Sequence, residues 1–166
     1  MVYTFSRIDP TYFMKQLLTI LFSVTIIFGG ASALADNKAI AVDEMAGYLD
    51  FVDYGGGIIF AEQIPAEEYK KMLIIDARDR AQFEKGHIPG AINIEWRRVL
   101  AQKNQIPKDK TVLIYCNTGS LSAQAGFALR VAGYENVRIL QGGFEEWKAK
   151  GGLDANKNAL RRQTKN

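Results

Sequence analysis

The 166-residue sequence contains one cysteine and one histidine. A single cysteine excludes any intrachain disulfide. A single histidine excludes a multi-histidine metal site, and the two together exclude zinc sets built from several Cys and His. A dominant charge is lacking as well: 21 Lys and Arg against 18 Asp and Glu leave +3. Basic residues do not cluster beyond pairs such as Arg97-Arg98 and Arg161-Arg162, too weak a bias to imply nucleic acid. There is no internal repeat and no low-complexity segment, and the glycine pairs fit neither dinucleotide-binding nor Walker spacing. The hydrophobic fraction of 48% and charged fraction of 23% are ordinary for a globular chain of this length. One domain is expected and hardly two. A disordered tail, a collagen and a multi-span membrane protein are excluded.

What is present begins with an address. Residues 17–29, LLTILFSVTIIFG, carry no charge; Met14 and Lys15 stand before them, and Ala33-Leu34-Ala35 comes after, followed by Asp36. A basic start, a short apolar region and an A-x-A site are the parts of a signal peptide. Residues 1–35 are therefore expected to be cleaved, with Met14 as an alternative start, and the protein to be exported to the periplasm. The competing reading is an uncleaved anchor. The uncharged stretch from Gln16 to Ala35 approaches the length of a span, and only then is the membrane a partner. Gly29-Gly30 and the small-residue end favour cleavage. Export changes how the cysteine reads, because oxidising compartments join cysteines in pairs. A lone one is either buried or used as a free thiol.

After the address come a segment at 36–57, a domain at 58–152 and a polar tail at 153–166. Val42–Val52 suits a helix with Met45, Leu49 and Val52 on one face, and Tyr54-Gly55-Gly56-Gly57 a turn. Strands are expected at Ile58–Phe60, Leu73–Ile75, Ala91–Ile94, Thr111–Tyr115 and Val137–Leu140. Helical pieces are expected at Ala61–Ile64, Ala66–Lys71, Ala81–Lys85, Arg97–Gln102, Ser120–Ala132 and Phe144–Lys150. In the helix Ser120–Ala132, Leu121, Ala125, Ala128, Leu129 and Ala132 form one stripe, and Gly133 ends it. Asn156–Asn166 is expected to fray. Short apolar strands alternating with helices specify an α/β fold with a central parallel sheet flanked by helices on both faces.

Cys116 directly follows the apolar strand TVLIY, and Asn117-Thr118-Gly119-Ser120 leads into a helix. The carboxyl end of a parallel strand, just before a helix, is where open α/β sheets bind ligands. Small residues let a loop curl around its first side chain, so that N–H groups and the helix start converge on one negative charge. Such a site favours thiolate over thiol. A thiol with pKa near 8.5 is only a few per cent ionised at neutral pH. A helix terminus contributes up to ~1 kcal/mol, or ~2 when partly buried. That is roughly one pKa unit, or about a quarter thiolate at pH 7. Cys116 thus needs no histidine partner. The opposing reading is inert core, where free cysteines commonly sit.

The chain resembles single-domain rhodaneses, the sulfurtransferase domain. The resemblance rests on Asp76-Ala77-Arg78, Phe83, GHIPGAINI from Gly86 to Ile94, LIYCNTGS from Leu113 to Ser120, and QGGFEEW from Gln141 to Trp147. It implies that Cys116 carries sulfane sulfur as a persulfide, in an active loop mapping onto Asn117, Thr118, Gly119, Ser120, Leu121 and Ser122. Its implied partners are a small sulfur donor (polysulfide or thiosulfate) and an acceptor: cyanide, a thiol or a partner protein's cysteine. No metal and no organic cofactor are implied. Many single-domain relatives have Arg five positions after the cysteine, others Ser or Thr; this chain has Leu121. The loop lacks its own cation, which favours a less charged donor than dianionic thiosulfate; Arg97 and Arg98 are either an outside source of charge or solvated. A related phosphatase or arsenate-reductase loop needs Arg six positions on, where Ser122 stands, so the bidentate oxyanion donor is missing.

Asp76 and Arg78 are supporting candidates at the strand end, Asp76 orienting the loop from below and Arg78 pairing with Glu84. His87 reads as a turn residue, Trp147 as packing, Trp96 as packing or pocket mouth, and Gly142-Gly143 as a tight turn. Two alternatives to an enzyme stand: a sulfur-binding or docking module without turnover, which Leu121 motivates, and a structural domain with an inert thiol.

Overall fold

A computed structural model describes residues 36–165. The chain divides after Gly47 into two units. In the first, the described residues are helical and leave Ile40 and Val42 exposed. They belong to α1 (36–51), which starts earlier than the helix expected at Val42. The expected signal segment, 1–35, lies outside the described residues. Among the described residues no helix is long and apolar enough to cross a membrane.

The second unit, from Tyr48, is built on a five-stranded sheet. Its strands are β1 (Ile58–Ile59), β2 (Leu73–Asp76), β3 (Ile92–Asn93), β4 (Val112–Tyr115) and β5 (Val137–Leu140). They lie in the order β1-β5-β4-β2-β3 and every pairing is parallel. All four residues of β4 are buried, because a central parallel strand is covered on both faces.

Period-two alternation sorts the side chains into two cores. Val112, Ile114 and Cys116 share one with Ala125 and Leu129 of α4 (Ser120–Val131), together with Val99 and Ile106. Leu113 and Tyr115 face the other, against Tyr69 of α2 (Ala66–Tyr69), Trp147 of α5 (Gly143–Ala149) and Ala155 of α6 (Ala155–Gln163). Each fully buried Ile or Leu contributes roughly 1.5–3 kcal/mol, so these two layers dominate cohesion. Helices cover both faces, as the alternation predicts.

Three local expectations are corrected. The buried residues of α4 are Ser122, Ala125, Gly126 and Leu129, while Leu121 stays 37% exposed. The stripe is turned because Gly126 lets the helix close on Ile139, where a Cβ would come within 2.8 Å of Cγ1. The helix expected at Arg97–Gln102 is a 3₁₀ turn at Trp96–Arg98, where the Glu95 carboxylate accepts from the Arg97 N–H at 3.2 Å. Finally, the tail expected to fray forms α6. Its buried Ala155 seats the helix, and Asn156 Nδ2 donates to the Glu62 carbonyl at 2.7 Å. A polar helix anchored by one small residue leaves no apolar stripe in the sequence.

Asp76 lies level with Tyr115 across the β2–β4 ladder. The Tyr115 hydroxyl donates to Asp76 Oδ2 at 2.7 Å and accepts from the Ile88 N–H at 3.0 Å. Burial, foremost, pushes its pKa up, so the phenol stays protonated. Tyr115→Phe strands the Ile88 N–H and one carboxylate lone pair. It should cost about 1–3 kcal/mol in urea unfolding, a range typical of unsatisfied buried polar groups.

Candidate active site

β4 ends at Tyr115, and the alternation carried one residue further turns Cys116 toward α4. The loop after it enters α4 through Gly119, whose φ of 106° is open to glycine and strained for other residues. No side chain caps the start of α4. The cysteine sulfur takes that place: the Gly119 N–H donates to Sγ at 3.2 Å. The Ser122 hydroxyl lies 3.6 Å from Sγ and 2.9 Å from the Gly119 carbonyl. Its single proton can serve either acceptor, so an ionised sulfur can draw it across.

Cys116 is 2% exposed. Burial pushes its pKa up, more than any other single influence. Against it act the N–H and hydroxyl of Ser122 and the N–H groups of Thr118 and Gly119, and together they leave the thiol below its ordinary value. The site thus holds more thiolate than a free thiol would at the same pH, without a histidine. His87 lies just before the turn at Pro89-Gly90, its Nδ1 2.9 Å from the Phe83 carbonyl and its ring stacked on Phe83.

The loop is held from below by α5. Phe144 N donates to the Cys116 carbonyl at 2.7 Å and Glu145 N to the Asn117 carbonyl at 3.1 Å. Gly143 makes that approach possible: its φ is 59°, and an added Cβ would come within 2.6 Å of the Asn117 carbonyl carbon. Gly142-Gly143, read from sequence as a turn, is therefore also the seat of the loop. The pairing of GG with an N-terminal helical turn is the signal that could have shown this.

Arg78 does not pair with Glu84, which instead binds Arg80 at 2.8 Å. Its guanidinium grips Asp76, with Nε 2.9 Å from Oδ1, because the two residues leave the same strand end and both are buried. Arg78 Nη2 also donates to the Gly86 carbonyl at 2.7 Å, and Nη1 reaches Asn117 Oδ1 at 3.3 Å. Asp76 thus touches the loop only through Arg78. Asn117 is half-buried, Ser122 is buried, and Thr118, Ser120 and Leu121 are exposed. Arg97 pairs with Glu95 and lies over the Trp96 ring. Among the described residues no hydrogen bond joins Arg97 or Arg98 to the loop. Trp96 is half-buried against the core that holds Cys116, and Trp147 is buried, donating from Nε1 to the Tyr69 hydroxyl.

Two hollows flank the loop. One of about 400 Å³ runs along Thr118, Gly119 and Ser120 to Tyr48, Ile58 and Phe127, and among the described residues no charged side chain lines it. The other, about 240 Å³, opens over Asn117 and is bordered by Arg78, Lys85 and Lys148 with Glu145.

The rhodanese-like domain profile matches residues 62–150. The chain belongs to that family. The protein YqhL of Bacillus subtilis is 40% identical over 82 residues; the match spans 49% of this chain and 65% of YqhL, just under two thirds of its length. The thiosulfate sulfurtransferase GlpE of Coxiella burnetii is 36% identical over 90 residues, 54% of this chain and 84% of GlpE. A rhodanese-related protein from Thermoplasma volcanium superposes with a TM-score of 0.52 at 27% identity, over 56% of this chain and 91% of that one. Of these relatives, GlpE is a thiosulfate sulfurtransferase by name.

The lowered thiol has a sign that can be tested. The folded chain ionises Cys116 at lower pH than the unfolded chain does. Its stabilising contribution is present above the unfolded pKa, about 8.5, and is lost as pH falls through the folded one. The rate of alkylation by iodoacetamide should therefore have its pH midpoint lower in the native protein than in urea.

Proposed function

We propose that the protein is an exported sulfurtransferase that carries sulfane sulfur on Cys116. The observation that carries this reading is the Gly119 N–H aimed at Sγ in an otherwise buried site, with the Ser122 hydroxyl beside it. In the first step the Cys116 thiolate attacks the outer sulfur of a donor R–S–SH. The new bond joins Sγ to that sulfur, the S–S bond of the donor breaks, and R–S⁻ leaves with the electron pair. In the second step cyanide or a thiolate attacks the outer sulfur of Cys116–S–SH. The Cys116 thiolate leaves; with a thiolate acceptor the new persulfide keeps the proton, and with cyanide the sulfur departs as thiocyanate while the proton passes to water. No net oxidation occurs, and no general base is needed once the thiol is ionised. The N–H groups of the loop stabilise both anions in place, a preorganised electrostatic role.

The donor is a polysulfide or an organic persulfide in preference to thiosulfate. Leu121 leaves the loop without a cation, and the larger hollow beside it has uncharged walls. In the smaller hollow Arg78 is already paired with Asp76 and Lys148 with Glu145. An exposed lysine alone supplies little after solvent screening. The acceptor side includes a partner protein's cysteine. The alternative, a docking module without turnover, is favoured only by the exposed side chain of Leu121 at the loop end.

Intact mass after incubation with polysulfide should rise by one sulfur atom. The gain should be removed by dithiothreitol and absent in Cys116→Ser. Thiosulfate should load it more slowly. Thiocyanate release with cyanide separates an enzyme from a carrier that does not turn over. Protein recovered from the periplasm should begin at Asp36. Absence of any gain under both donors, with alkylation as slow as a free thiol's, would sink the proposal.

A further inference from the structure

Asn117, the first residue after the cysteine, is held on three sides. Its amide oxygen accepts from Arg78 Nη1 at 3.3 Å, and its amide nitrogen donates to Gln82 Oε1 at 2.6 Å. Its backbone carbonyl accepts from Glu145 N at 3.1 Å. The two side-chain partners are themselves fixed. Arg78 is buried, with Nε and Nη2 committed to Asp76 and the Gly86 carbonyl, and its Cζ lies 4.5 Å from the centre of the Phe144 ring. Nη1 is left for Asn117. Gln82 stands in α3 (Arg80–Lys85), where Asp79 caps the helix by accepting from Gln82 N at 2.9 Å. Asp79 also accepts from Gln82 Nε2 at 2.6 Å, which leaves Oε1 to face Asn117.

This grip contrasts with the rest of the loop. Thr118 and Ser120 are exposed, and Gly119 has no side chain to anchor. Small side chains and a glycine leave a free loop many conformations, and few of those aim its N–H groups at one atom. Donors stabilise a charge well only when they are already in place. The chain after Cys116 therefore needs an external hold close to the sulfur, and Asn117 is where one is made.

We propose that Asn117 is a positioning residue: its amide, clamped between Arg78 and Gln82, sets the course of the loop so that the N–H groups of Thr118, Gly119 and Ser122 converge on Sγ. This rests on the reading of Cys116 as the sulfur carrier. The residue type follows from the geometry. Both a donor and an acceptor are required at one short side chain, and an aspartate there could not donate to Gln82 and would set a charge beside the thiolate.

The test compares Asn117→Ala, Gln82→Ala and the double variant with the unaltered protein, reading the pH midpoint of Cys116 alkylation alongside urea unfolding. Each single variant should move the midpoint upward by about 0.5–1 unit, slowing alkylation about three- to tenfold at a pH below the midpoint. The double variant should shift no further than Asn117→Ala, because both changes break one clamp. Gln82 lies outside the loop and does not touch Cys116, so its variant keeps the test readable if Asn117→Ala unfolds. Midpoints unchanged in both single variants, or lowered stability with an unchanged midpoint, would overturn the proposal. Alkylation needs no sulfur donor. A protein that never loads sulfur therefore defeats the functional reading alone, while the midpoint comparison still decides the clamp.

Discussion

A sulfur anion at the edge of a core, almost wholly out of water, must find its hydrogen bonds inside the protein. Cys116 is 2% exposed and belongs to the cluster beneath α4. Burial alone would hold it as a neutral thiol. Replacement donors reverse that: the N–H groups of the turn entering α4 and the Ser122 hydroxyl. Much of the surrounding structure follows from keeping those donors free and aimed. α4 carries no side-chain cap that would compete for its first N–H groups. Gly119 adopts the left-handed turn that points its N–H back at the sulfur.

The loop cannot stabilise itself, since its residues are small and mostly exposed. Its support comes from elements distant in sequence. The first N–H groups of α5 take the carbonyls of Cys116 and Asn117, which Gly143 permits by having no Cβ. On the other side Asp76 anchors Arg78, and Arg78 reaches Asn117. The Asp76–Arg78 pair is buried, and removing either partner would leave an uncompensated charge, a loss of about 3–5 kcal/mol. Tyr115 and the Asp76 carboxylate share a hydrogen bond, so the ion pair is tied to the central strand as well. Structural and chemical roles meet in these residues, and a change at any of them should move both stability and thiol reactivity.

No side chain from Asn117 to Ser122 carries a charge. Leu121 stands in the first turn of α4 with its side chain partly exposed. Backbone N–H groups solvate one negative charge on sulfur well but offer no counter-charge for a second. In the proposed function, that arrangement suits donors that arrive with little charge near the transferred sulfur.

Much of the architecture was legible in the residues themselves. The runs LIID, VLIY and VRIL are strands because short apolar segments between glycine and helix signals have few other ways to bury themselves. The lone cysteine after VLIY, followed by small residues, marked the site, and GHIPGA with QGGFEEW marked the family. Other features had no local signature. The stripe on α4 turned because Gly126 meets Ile139, and α6 formed on the single buried Ala155. Arg78 chose Asp76 over Glu84 because strand register and burial, not helical spacing, set its neighbours. The side chains that grip Asn117 come from positions 35 and 39 residues away. By itself the sequence determined the five strands and most of the helices between them and singled out Cys116 as the candidate nucleophile, since periodicity and residue chemistry are local. Only the tertiary structure decided what holds the Cys116 loop in shape, because long-range packing chooses among partners that are equivalent in one dimension.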